Sequence, residues 1–180
     1  TSGIAGYSYI LDENVDSDPD NTVETSFLTV NISDLTDGIH YFHLKAITNG
    51  DNIGESVHYR IQVDRSPPIL DQLSVVINSQ SAVNTSEPLV TLYLLAQDGG
   101  SGLKEMKIKN HPVSDVSPTD YSDVTAQTYA NQVTLWNLTA LPADNNDGIK
   151  RVCAIFSDQS GNWSTERCAS IRLDTTPPVN

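Results

Sequence analysis

Written against itself at an offset of 110, the sequence matches. DGIHYFHLKAITNGDNIGESVHYRIQVDRSPP falls on DGIKRVCAIFSDQSGNWSTERCASIRLDTTPP without a gap. Asp37, Gly38, Ile39, Asn52, Ile61, Asp64, Pro67 and Pro68 meet Asp147, Gly148, Ile149, Asn162, Ile171, Asp174, Pro177 and Pro178. Further upstream the offset becomes 106, where Asn31-Ile-Ser33-Asp-Leu35 meets Asn137-Leu-Thr139-Ala-Leu141. It then becomes 99, where Ser2-Gly3-Ile4 meets Ser101-Gly102-Leu103. Insertions in surface loops change the offset while leaving the segments between them aligned. One unit is therefore built twice, and each copy finishes in Asp-x-x-Pro-Pro.

The copies are unequal at the front. The second has a long segment, Pro67 to Gly100, before its Ser-Gly, whereas the first has only Thr1. That segment carries two strand-like stretches, about 72–78 and 88–97, the second strongly apolar. The first copy is thus expected to lack its first two strands, as a segment cut from a longer tandem array would. The expected domains are a partial one over 1–66, a complete one over 67–176, and the start of a linker at 177–180.

The pattern within each copy is that of strands. GYSYILD, SFLTVNI, YFHLKAI, HYRIQVD, LVTLYLLAQD, VTLWNL and RVCAIF are short, rich in β-branched and aromatic residues, and mostly alternating. Gly, Asn, Asp and Pro turns separate them, and no stretch keeps a helical stripe for three turns. Period two assigns the inward side chains. In the first copy they are Tyr7, Tyr9 and Leu11; Leu28, Val30 and Ile32; Phe42, Leu44 and Ala46; and Tyr59, Ile61 and Val63. In the second they are Val90, Leu92, Leu94 and Ala96; Met106 and Ile108; Trp136 and Leu138; Val152, Ala154 and Phe156; and Ala169, Ile171 and Leu173. The fold class is all-β: two tandem β-sandwiches, the first incomplete.

SGIAGYSYILD, DGIHYFHLKAI, SGLKEMKI, DGIKRVCAIFSDQSGNWS and the D-x-x-P-P junctions resemble the tandem fibronectin type III and Ig-like repeats of large prokaryotic surface proteins. The resemblance covers nearly the whole chain, although the first copy has Asn52-Ile53-Gly54 where the second has Asn162-Trp163-Ser164. It implies an extracellular array, with D-x-x-G-N-W-S marking the last hairpin and D-T-T-P-P the junction. It also makes Trp163 a junction-packing residue before it makes it a ligand-binding one. Such modules serve adhesins, S-layers, filaments and secreted hydrolases, so the resemblance speaks to architecture more than to activity.

Composition narrows the partners. The formal net charge is −13, which argues against nucleic acid and anionic membranes, since phosphate contacts need Lys and Arg. No run of 18 apolar residues exists. There is no G-x-S-x-G, no H-E-x-x-H and no glycine-rich phosphate loop, so no catalysis is expected.

Individual residues carry weaker signals. Cys153 and Cys168 are the only cysteines. If the last hairpin is symmetric about Ser160-Gly161, they oppose each other on its outward face, close enough for a disulfide; two unrelated thiols are the alternative. A bond would imply an oxidising, extracytoplasmic setting. At the same positions the first copy has His43 and His58, read as an exposed polar pair, too few ligands for a stable zinc site. Asp16, Asp18 and Asp20 alternate carboxylates, and Asp98 and Asp158 end strands at one pole of a sandwich. Calcium is the one cofactor they suggest, but a solvated loop and turn capping are the favoured readings. Asn31, Asn84, Asn137 and Asn162 open N-x-S/T triplets, some of which arise by chance at this Ser and Thr content.

The function expected is non-catalytic: a stalk, adhesin or filament segment at the cell surface. Its partners would be further repeats, copies of itself in a fibre, or a surface ligand, with semi-rigid Pro-Pro joints extending the array. The alternative is a carbohydrate- or protein-binding accessory module of a secreted hydrolase, with Trp163 exposed to its ligand.

Overall fold

The computed structural model describes residues 3–77, 80–115, 117–140 and 146–178. Every element among them is a strand, and the fold is all-β. The chain divides into two units, Thr1–Arg65 and Ser66–Asn180. Pro67 and Pro68 lie outside any strand, as do Pro177 and Pro178. The last two positions of the expected linker at 177–180 fall outside the described residues.

The first unit is a single antiparallel sheet in the order β1 (Ile4–Asp12), β2 (Gly38–Thr48), β3 (Val57–Val63). The second has two sheets among the described residues. One runs β10 (Gln132–Asn137), β7 (Leu89–Gln97), β4 (Ile69–Ile77), β5 (Gln80–Ser81). The other runs β6 (Asn84–Thr85), β12 (Arg167–Leu173), β11 (Gly148–Asp158), β8 (Leu103–His111), β9 (Gln127–Thr128). Between these sheets lies an apolar core of Leu70, Leu73, Val90, Leu92, Leu94, Ala96, Met106, Ile108, Leu138, Val152, Ala154, Phe156 and Ile171. Alternation along each strand puts these side chains on one face, and two facing sheets bury them.

By the sequence offsets, β1, β2 and β3 correspond to β8, β11 and β12. The hairpin registers agree: Gly38 pairs with Val63 as Gly148 pairs with Leu173, and His43 with His58 as Cys153 with Cys168. Among the described residues of the first unit nothing corresponds to β4 and β7. The expected inward face there is consequently uncovered. Tyr59 is 70% exposed and Leu28 87%, while Tyr7, Tyr9, Leu11, Phe42, Leu44, Ala46, Ile61 and Val63 are only half-buried.

The fold departs from the sequence pattern in two places. SFLTVNI is not a strand: residues 26–36 carry no ladder. In the second unit the chain returns along β8 at β9, then crosses to pair β10 with β7. In the first, Thr25 makes the equivalent bridge to Tyr7, but no strand equivalent to β7 receives the segment that follows. A strand is defined by its partner, and apolar alternation alone cannot supply one. The buried face differs from the expected one as well. In the first unit it is the opposite, polar one, with Ser8, His43 and Lys45 all buried.

Candidate functional site

That polar face is closed by the acidic segment after β1. Lys45 Nζ donates to Asp18 Oδ2 at 2.6 Å and to the Pro19 carbonyl at 3.0 Å. Ser56 holds the other Asp18 oxygen. Ser8 Oγ donates to Asp20 Oδ1 at 3.3 Å, and the Tyr9 N–H to Glu24 Oε2 at 2.7 Å. Gly6 allows the returning chain to close in, since a Cβ there would lie 2.4 Å from Val23 Cγ1 and 2.6 Å from the Thr25 carbonyl oxygen. Lys45 and the Ser56 hydroxyl keep the Asp18 carboxyl below its ordinary range. The N–H of Thr22 does the same for Asp20. Asp18 and Asp20 thus bind separate partners on the sheet, Lys45 and Ser8, and Asp16 is exposed.

Beneath this strap sits a cluster the sequence reading placed in solvent. His43 is fully buried. Its Nδ1 lies 2.6 Å from His58 Nδ1, and its Nε2 lies 3.2 Å from Asp12 Oδ1. Asp12 also accepts from Ser17 Oγ at 2.5 Å and from the Asn14 N–H at 2.9 Å. Ser17 foremost, then Asn14 and His43, lower the Asp12 pKa against the opposing effect of partial burial. Tyr41 stacks on the His43 ring. His58 is exposed. Strand alternation, which predicts a pair exposed on both sides, reports the face of a sheet and not whether a distant loop covers it.

The second unit is strapped in the same way. Residues 112–115 and 117–126 cross the outer face, where Lys107 Nζ donates to the Tyr121 carbonyl at 3.1 Å. Lys109 Nζ donates to the Asp120 carbonyl at 2.7 Å and pairs with Asp123 at 2.6 Å. Tyr121 donates its hydroxyl to Glu166 Oε2 at 3.0 Å, and burial, then Glu166, pushes its pKa up. On this face Cys153 and Cys168 form a disulfide with S–S 2.04 Å, and Cys153 is fully buried. Glu166 lies within 4.8 Å of both sulfurs, but disulfide sulfurs offer no thiolate to a metal.

Of the remaining sequence candidates, Asp98 and Asp158 hold turns. Asp98 Oδ2 accepts from the N–H groups of Gly100 (3.1 Å) and Gly102 (2.6 Å). Asp158, fully buried, accepts from the Asn162 N–H at 2.9 Å and from its Nδ2 at 2.8 Å. The carboxylates of Asp98 and Asp158 come within 4.8 Å of each other, yet each serves its own turn. The Asn162 amide is thereby committed as well. Asn137 Oδ1 accepts from Thr139 N–H and hydroxyl. Asn31 and Asn84 are exposed. Trp163, 38% exposed, lies with its ring 5.4 Å from Lys107 Nζ.

In the sequence Asp37 and Asp147 stand out only as repeat matches. Each closes the end of its hairpin. Asp37 accepts from the Arg65 N–H at 3.1 Å and pairs with its guanidinium at 3.0 Å. Asp147 accepts from the N–H and hydroxyl of both Thr175 and Thr176. The repeated Asp-Gly-Ile was the signal. The partners lie far along the chain and appear only once the hairpin register is known.

The uncovered face of the first unit forms an open groove of about 460 Å³ lined by Tyr7, Phe27, Leu28, Phe42, Leu44 and Tyr59 among others.

No protein-family model matches the chain, and no curated protein sequence does. Among solved structures it is similar to the fibronectin(III)-like modules of Clostridium thermocellum CbhA. There the identity is 13%, the match covers 96% of this chain and 79% of that one, and the TM-score is 0.43. It is also similar to the D00-D0 domain of intimin, at 8% identity, covering 96% of this chain and 86% of that one, with a TM-score of 0.34.

Proposed function

We propose that the chain is a non-catalytic structural segment of an extracellular surface protein, acting as a stalk, adhesin or filament repeat. The observation that carries this reading is the Cys153–Cys168 disulfide, set into one copy of a tandem unit. Such bonds persist in oxidising compartments and are rare where glutathione keeps thiols reduced. A covalent rung across the last two strands of a repeat resists separation of those strands and adds no chemistry. The acidic surface fits a chain that stays soluble at high local density. The test is protease shaving of intact source cells, followed by mass spectrometry without reduction. Recovery of the disulfide-linked Cys153 and Cys168 peptides from the surface fraction is expected. Recovery from the cytosol with both thiols free would overturn the reading.

A further inference from the structure

We infer that His43 and His58 form a binding site for a divalent transition-metal ion of the zinc–copper class, with Asp12 as the carboxylate that orients it. Three features carry this. First, the tautomers are set. Asp12 is an acceptor, so His43 places its proton on Nε2, 3.2 Å from Asp12 Oδ1. The Nδ1 lone pair of His43 is thereby aimed at His58 Nδ1, 2.6 Å away. A histidine that donates one N–H to a carboxylate while presenting the other nitrogen is the usual arrangement of a metal ligand and its supporting group.

Second, the geometry is near what an ion needs. Two nitrogens bound at about 2.0–2.1 Å with a tetrahedral angle lie roughly 3.3 Å apart. His43 is fixed by burial, the Tyr41 ring and Asp12. Two imidazoles are too few for a closed structural zinc site, so the site is an open one: the exposed His58, on the edge strand β3, can swing outward by the missing distance and carry its proton on Nε2 instead, and water fills the remaining coordination positions. The cation nearest on the same strand, Lys45, is paired to Asp18 at 2.6 Å, so its charge is offset.

Third, the repeat places a cross-link on this very rung. Cys153 pairs with Cys168 in β11–β12 as His43 pairs with His58 in β2–β3. One unit bridges its last two strands through sulfur. The other presents two imidazoles that bridge the same two strands through an ion.

The test uses the whole chain without a polyhistidine tag, titrated calorimetrically with zinc chloride alone and with copper(II) followed by electron paramagnetic resonance. One ion per chain, nitrogen hyperfine structure from two imidazoles, and a rise on the order of 10 °C in the melting of the first unit at zinc 100-fold above its Kd are expected. His58→Gln, at an exposed position that leaves the fold intact by circular dichroism, should abolish all three. Asp12→Asn should weaken binding about 10–100-fold. Absence of binding, or binding unchanged in His58→Gln, would overturn the assignment.

Discussion

At Asp147 one carboxylate receives four hydrogen bonds from two consecutive threonines, at 2.6–3.1 Å. The hydroxyls of Thr176 and Thr175, then the Thr175 N–H, lower its pKa from 3.8 to about 2. Because the folded value lies below the unfolded one, these bonds stabilise above about pH 4 and are lost as pH falls towards 2. Acid unfolding followed by tryptophan fluorescence should therefore be less steep between pH 4 and 2 in Asp147→Asn than in the parent. An identical slope would contradict the assignment. The sequence showed Asp147 as one of eight matched residues but not its role, because an exposed aspartate in a D-G turn reads as turn chemistry. Its bonding partners stand beside it at the open end of the hairpin but 28 and 29 positions away in sequence. Asp98 and Asp158 lay at the other extreme of legibility. Their donors are close neighbours in sequence, so local turn rules sufficed.

The two hairpins show how far pattern can carry an element. Symmetry about Ser160-Gly161 predicted the register of β11 and β12, and the offset of 110 transferred it to β2 and β3. Both registers are observed. A disulfide should therefore transfer as well. The double substitution His43→Cys and His58→Cys is expected to form an intramolecular bond on air oxidation, read as a loss of two hydrogen masses. It should stabilise the first unit by up to about 3 kcal/mol for a loop of this length. Free thiols by alkylation would show that the two rungs are not equivalent. Residues 26–32 mark where pattern fails. SFLTVNI alternates as well as VTLWNL does, yet only the latter is a strand, because β7 stands beside it. Likewise no periodicity predicts that residues 13–24 fold over a sheet. That depends on Lys45 and Asp18, distant in sequence, meeting.

Across the whole molecule the repeat makes the second unit a template for the first. The second buries its inner face between two sheets. The first leaves its own open as an apolar groove, where covering each large side chain is worth about 1.5–3 kcal/mol. Residues 67–101 joined in front of Gly3 would keep the turn that leads into β8 and offer the first unit strands of the β4 and β7 kind. This longer chain should bind less of a hydrophobic dye per molecule than the parent, and its first unit should melt higher. Undiminished dye binding would show that the open face is not built to receive such strands. The disulfide, in turn, governs behaviour under mechanical load. Cys153 and Cys168 are 15 positions apart, and the bond carries tension directly from one to the other, bypassing the loop between them. A pulled, oxidised chain thus reaches its limit roughly 50 Å shorter than a reduced one, at up to about 3.6 Å per residue. The redox state of one rung would fix how far the unfolded chain can reach.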